Sequence, residues 1–117
     1  MKINNVELDF DLYDADNVEL RKKYYQELEK MKTVAEDLPK GDEAEQNHYL
    51  CKRIKSIFDE VFGTGIGIKV CGSKDNLLTC MKAYEELVSE QMRQDQEYKK
   101  IMQTLKGKGN KSRRNAR

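Results

Sequence analysis

Apolar and acidic residues alternate close to the start of the chain. From Val6 onward every second residue is apolar, and acidic side chains stand between these positions. This period of two predicts a half-buried strand over residues 6–12. Asn4 and Asn5 precede it. Because asparagine tolerates the positive φ of tight turns, we predict a hairpin over residues 2–12.

Three later segments have apolar residues spaced by three and four, which is the pattern of amphipathic helices. Their predicted limits are about 16–38, 43–62 and 75–105. Asp14 or Asp16 can cap the first helix, and Gly63 ends the second. Ser73 or Asp75 is expected to cap the third helix.

The third predicted helix runs beyond what a small core can bury. Its main apolar stripe consists of Leu77, Met81, Tyr84 and Val88. The pattern continues more weakly toward the C-terminus in Tyr98, Ile101, Met102 and Leu105. We predict that these last four side chains bind a partner, because amphipathic helices offer anchors at this spacing. The alternatives are that this stripe folds back or pairs with a second copy of the chain.

The composition favours a small helical domain. Of the 117 residues, 38% are hydrophobic and 37% are charged, whereas typical domains have about 45–50% and about 25%. Most of the surface of each helix must therefore be exposed to solvent. We predict a mainly α fold, at the margin of α+β, in which residues 1–105 form one domain. A short N-terminal β-hairpin packs on a three-helix core with a long C-terminal helix, and residues 66–71 form one helical turn or a short strand.

The net charge of +1 is distributed unevenly along the chain. Residues 106–117 hold six of the 22 basic residues and no acidic one, which leaves 16 basic and 21 acidic residues elsewhere, or −5. The six are Lys106, Lys108, Lys111, Arg113, Arg114 and Arg117. We predict a disordered, solubilising tail, with phosphate binding as the alternative. No aromatic residue lies among them to stack on bases.

The sequence shows no pattern typical of catalysis or of cofactor binding. The glycines near residue 65 follow a predicted helix and lack the spacing of a phosphate loop, so they are interpreted as a turn. Close ligand pairs typical of zinc are absent, and Cys51, Cys71 and Cys80 are expected to be reduced core residues. A nucleophilic pair of Cys51 with His48 stays open, although no orienting partner is evident.

Neither a membrane span nor a signal segment is evident in the sequence. No apolar run approaches the length of about 20 residues that a transmembrane helix needs. The first residues include a lysine and two asparagines and have no apolar signal region. We therefore expect a cytoplasmic protein with no membrane partner.

The segment 57–65, Ile-Phe-Asp-Glu-Val-Phe-Gly-Thr-Gly, resembles a pattern in small phage and prophage proteins of Gram-positive bacteria. In that pattern a short apolar turn with a glycine follows, as at residues 68–72, and then a helix opening on Asn-Leu, as at Asn76. The opening residues 1–17 are also similar to that group. The resemblance covers residues 1–92, and its motif positions here are Phe58, Asp59, Phe62, Gly63, Gly65 and Gly72.

The resemblance implies a role in tail morphogenesis, similar to that of tail assembly chaperones. Such a protein holds the long tape measure protein soluble until tail tube subunits assemble around it. It implies no catalytic residues and a bacterial host cell as the location. The alternatives are a self-assembling structural virion or head–tail connector component, and a small nucleic-acid-binding regulator that uses the basic tail.

Overall fold

The structure is a computed structural model that describes the backbone of residues 1–115 and the side chains of residues 1–107. It is mainly helical, with a short N-terminal hairpin and a long last helix, as predicted. The elements are β1 (Lys2–Ile3), β2 (Val6–Glu7), α1 (Val18–Met31), α2 (Glu43–Phe62), α3 (Ile66–Cys71) and α4 (Leu77–Asn115).

The hairpin is shorter than the alternating sequence predicts. The antiparallel register pairs Lys2 with Glu7 and Ile3 with Val6. The turn between them has the predicted positive φ at its two asparagines. Residues 8–12 keep the alternation, because Leu8, Phe10 and Leu12 are buried and the acids between them are exposed. The prediction of a strand to residue 12 was wrong, since no described strand pairs with this segment.

Helix α1 ends at Met31 and not near residue 38 as predicted. Beyond it the backbone continues in turns in which N–H groups bond to the carbonyl three residues back, as Val34 does to Met31. Thr33 and Val34 are β-branched, and such residues lose side-chain freedom in a helix. The weak helical propensity of this stretch explains the early end.

Helix α2 has the predicted limits and contacts each of the other three helices. The Asp42 carboxylate caps it by accepting a hydrogen bond from the Glu45 N–H at 2.9 Å. Ile54, Ile57 and Phe58 are buried as the periodicity predicts. Lys55, although charged, is only 9% exposed. Its ammonium group bonds to the segment between α3 and α4.

Residues 66–71 form a short fourth helix, which decides between the two predicted alternatives. Gly67 packs directly against α2: an added Cβ there would lie 2.3 Å from the Lys55 carbonyl oxygen. The N–H of Gly67 donates to the Asp59 carboxylate at 2.7 Å. Helix α3 therefore sits closer to α2 than any side chain at position 67 allows.

Leu77 and Tyr84 of the predicted apolar stripe pack against the core as expected, but the buried side of α4 is rotated away from Met81. Cys80, Ala83 and Leu87 are fully buried, whereas Met81 of the predicted stripe is 50% exposed. The first half of α4 has apolar residues on several sides, so residue type alone does not determine which side packs against the core. Small side chains let helices approach closely, and they decide the face here.

The limits of α4 also differ from the prediction. Asn76 caps the helix, with its side chain accepting a hydrogen bond from the Thr79 N–H at 3.2 Å, while Asp75 has other partners. The helical backbone runs past the expected end at residue 105 to Asn115. The sequence predicted disorder from residue 106 onward, so the helical backbone of residues 106–115 is a difference from that prediction. At 1.5 Å per residue the helix is about 58 Å long, in a molecule measuring 69 × 29 × 22 Å.

Candidate partner-binding surface

One continuous face of α4 begins inside the core and ends in solvent. Its residues are spaced alternately by four and three, the spacing of a coiled-coil seam. They are Cys80, Tyr84, Leu87, Gln91, Gln94, Tyr98, Ile101 and Leu105. The first three pack in the body of the molecule. The last three, which we call the α4 stripe, are 46%, 54% and 60% exposed.

The four predicted partner-binding residues therefore differ in how much of each side chain is exposed to solvent. Ile101 and Leu105 are open, and Met102 is half-buried. The ring of Tyr98 stacks on Tyr13 with the ring centroids 4.7 Å apart, so one of its faces is already covered. The structure brings the three stripe residues together on one side of the helix, with Met102 beside them.

Tyr13 marks the point at which α4 leaves the body. Its hydroxyl group donates a hydrogen bond of 2.5 Å to the Asp95 carboxylate, and this contact raises the pKa of Tyr13. The Arg21 guanidinium lies over the Tyr13 ring, 4.8 Å from its centroid. These contacts fasten the start of the stripe to the N-terminal segment, while the remainder of α4 projects.

A groove lies between the N-terminal segment and α4, beside the stripe. Its volume is about 700 Å³, and Tyr98 and Ile101 line one end. Leu8, Phe10 and Tyr13 supply further apolar surface. A second cavity of about 300 Å³ continues along α4 and shares Met1, Glu90 and Arg93 with the first. We call the two together the α4 groove.

The α4 groove is acidic. The first cavity has five carboxylates on its walls, from Glu7, Asp9, Asp11, Glu90 and Glu97. The second adds Glu85 and Glu86. The cations are Arg93, Lys2 and the N-terminal ammonium group, so seven negative charges face three positive ones.

Arg93 organises the acidic wall on α4. Its guanidinium bonds to Glu90 at 2.7 Å and to Glu97 at 2.9 Å. The ion pair with Arg93 lowers the pKa of Glu90. The Glu90 carboxylate is therefore ionised near neutral pH and contributes to the negative charge of the groove.

Gln94 fixes the opposite wall of the groove, which the N-terminal segment forms. Its side-chain amide donates to the Phe10 carbonyl oxygen at 2.6 Å and accepts from the Leu12 N–H at 2.9 Å. It thus occupies the place of a neighbouring strand for the extended segment 8–12. The sequence analysis did not predict this contact. The feature that could have indicated it is the pair of glutamines, Gln91 and Gln94, at seam positions that are otherwise apolar.

The motif positions of the resemblance build the corner between α2 and α3. Phe58 is fully buried, and Phe62 packs at the edge of the core. Gly63, Gly65 and Gly72 all have positive φ, which L side chains rarely adopt. Asp59 bonds to the backbone of α3 as described above. All six lie away from the α4 groove.

His48 and Cys51 are not a nucleophilic pair. The His48 Nδ1 bonds to Asp75 at 2.8 Å, and Asp75 also bonds to the Lys55 ammonium at 2.8 Å. Cys51 instead lies against Cys80 inside the core. Burial raises the pKa of Cys51 to about 12, so its thiol stays protonated. Among the described residues no group of three histidine, cysteine or acidic side chains is placed to hold a metal ion.

Comparison with known proteins places the chain in a family. Residues 4–117 match a family of unknown function, DUF6673. The chain belongs to this family. The match includes the basic C-terminal segment, which the resemblance over residues 1–92 leaves out. No curated protein and no solved structure matches the chain.

Two further sequence expectations concern the C-terminal segment and the membrane. The side chains of Lys108, Lys111, Arg113, Arg114 and Arg117 lie outside the described residues, so their contact with nucleic acid stays a prediction. In the part of the chain that the structure describes, no helix is both long enough and apolar enough to cross a bilayer.

Proposed function

We propose that this protein is a phage or prophage tail assembly chaperone-like protein, which binds helical segments of the tape measure protein during virion assembly. In this proposal the protein acts in the bacterial cytoplasm by binding and release and transforms no substrate. The phage assignment comes from the resemblance at residues 57–72. The binding mode comes from α4.

The observation that carries the proposal is the exposed α4 stripe. Three large apolar side chains follow one another at seam spacing on a helix that projects from the body. A helix laid against them would bury side chains that are now in water, and each buried leucine or isoleucine contributes about 1.5–3 kcal/mol. Helix-in-groove recognition uses anchors at this spacing.

Half-buried Met102 beside the stripe supports binding of more than one segment. Methionine has an unbranched, adaptable side chain, and such surfaces accept partners of differing shape. A chaperone for a long helical protein needs this tolerance, because successive segments of its client differ in sequence.

Co-expression with a tape measure protein from a phage or prophage that encodes this chain tests the proposal. The wild-type chain is expected to raise the soluble fraction of that protein and to co-purify with it. Ile101→Asp with Leu105→Asp is expected to abolish both effects, because a charge at each position opposes burial.

The matched control is Leu78→Asp with Met81→Asp. These two residues lie on the same helix and are similarly exposed, but they lie outside the stripe. The control variant should behave as wild type. An unchanged solubility of the tape measure protein with the wild-type chain would count against the proposal.

A further inference from the structure

We propose that two copies of this chain pair antiparallel through α4, so that the projecting end of each copy lies in the α4 groove of the other. This self-association goes beyond the proposed function and does not depend on it. It assigns an occupant to the groove: residues 98–115 of a second copy.

The charges of the α4 groove and of the C-terminal segment are complementary. The α4 groove has seven carboxylates against three cations. Residues 106–117 have six basic side chains and no acidic one. Opposite charge across an interface attracts the correct partner and fixes its orientation. The segment that complements the groove is therefore present in every copy of the chain.

The groove and the projecting end of α4 have matching lengths. The groove follows α4 from Glu85 to Ile101, about 24 Å at 1.5 Å per residue. The helical end from Tyr98 to Asn115 spans about 26 Å by the same measure. One projecting end therefore fits the groove of the other copy.

The distribution of charge along α4 favours an antiparallel pair. With Tyr98 of one copy beside Ile101 of the other, antiparallel helices bring residues 106–115 next to residues 84–93 of the partner. Arg113 and Arg114 then lie level with the partner's Glu86 and Glu85. A parallel pair would instead set the two basic ends side by side, where they repel. The stripes meet at the centre and exclude water from each other.

Sedimentation of the full chain at low and high salt tests the pairing. We expect a monomer–dimer equilibrium whose dissociation constant rises with salt, because surface charges are screened. Leu105→Asp should raise that constant at least tenfold, and Leu78→Asp should leave it within twofold. A chain that stays monomeric at high concentration in low salt would overturn the proposal, as would a dimer that is indifferent to Leu105→Asp.

Charge reversal tests the antiparallel arrangement. Arg113→Glu with Arg114→Glu makes the tail acidic, and Glu85→Lys with Glu86→Lys makes part of the groove basic. Each variant alone should dimerise at least tenfold more weakly. An equimolar mixture should recover the wild-type constant, because both tail–groove contacts become attractive in the mixed dimer. Failure of the mixture to recover would refute the arrangement.

The control for charge reversal is Lys22→Glu with Lys23→Glu on the exposed face of α1. It changes the net charge as much as the tail variant does, and it should leave the dissociation constant within twofold. Circular dichroism of every variant should match wild type, since the changed side chains that the structure describes are exposed. A control that weakens the dimer as much as the tail variant would contradict a specific contact.

Discussion

At the scale of single residues, the glycine-rich corner between α2 and α3 is explained by packing. Gly67 has no room for a Cβ against the α2 backbone, and Asp59 holds the start of α3 by its carboxylate. The reason for glycine is visible only when α2 and α3 lie together, because the obstacle is a carbonyl oxygen twelve residues earlier in the chain.

Gly67→Ala is expected to lower the free energy of unfolding by about 1–3 kcal/mol, the usual cost of overpacking. Gly107→Ala is the matched control, since nothing lies within 4 Å of an added Cβ there. Alanine favours helix over glycine, so the control should leave stability unchanged or raise it by up to about 1 kcal/mol. Urea unfolding followed by circular dichroism measures both, and equal effects would disprove the packing argument.

The carboxylate of Asp75 links helix α2 to the segment between α3 and α4. Hydrogen bonds from His48 and Lys55 lower the pKa of Asp75. Lys55 comes from the middle of α2, where most of its side chain is buried. A buried ammonium group needs such a partner, because an unpaired charge in the interior is costly.

Asp75→Asn is expected to reduce stability at neutral pH by about 1.5–3 kcal/mol, the usual contribution of hydrogen bonds to charged groups. A carboxyl group with a lowered folded pKa stabilises above its unfolded value of about 3.9, and this contribution is lost as pH falls through the folded pKa. The difference from wild type should therefore be full at pH 5 to 7 and shrink below pH 4. Exposed Asp37→Asn is the control, and a difference independent of pH would contradict the ion pair.

At the scale of elements, the alternating N-terminal segment is strand-like without a sheet. Its buried face was predictable from the period of two, but its partner was not. Backbone groups of Phe10 and Leu12 bond to the side chain of Gln94, more than eighty residues later. A pattern in sequence shows which side chains face the core, but not which group satisfies the backbone.

Gln94→Ala is expected to remove both backbone contacts and cost about 1–2 kcal/mol, since each hydrogen bond contributes about 0.5–1.5 kcal/mol. Hydrogen exchange at the Leu12 amide should become faster at the same time. Gln96→Ala changes an exposed glutamine on the same helix and should alter neither quantity. The bridging role would be refuted if the two variants behaved alike.

The helices differ in how well their limits could be predicted. Helix α2 has a capping aspartate, one clear stripe and a terminating glycine, so its range follows from the sequence. Helix α1 has no such stop before Pro39, and weak propensities at Thr33 and Val34 end it early. In α4 the spacing predicted a long helix. Its apolar residues lie on several sides, so the pattern did not show which side faces the core. The buried side is the one that contains the small residues Cys80 and Ala83.

At the scale of the whole molecule, a small body carries a long helix with an exposed apolar end. The fold class and the exposed stripe could be predicted, because both depend on local periodicity. The acidic groove beside the stripe could not, since it forms from residues 1–13 and 85–101, which meet only after folding. The proposed dimer and the proposed client complex use the same stripe, so a client segment must displace the second copy.

The most direct test is a titration of the chain against labelled helical segments of the tape measure protein, followed by fluorescence anisotropy. At least one segment should bind, and Leu105→Asp should weaken that binding about tenfold or more, the equivalent of one buried leucine. Leu78→Asp should bind as wild type does. If no segment binds, or if both variants bind equally well, the α4 stripe is not the surface through which this protein acts.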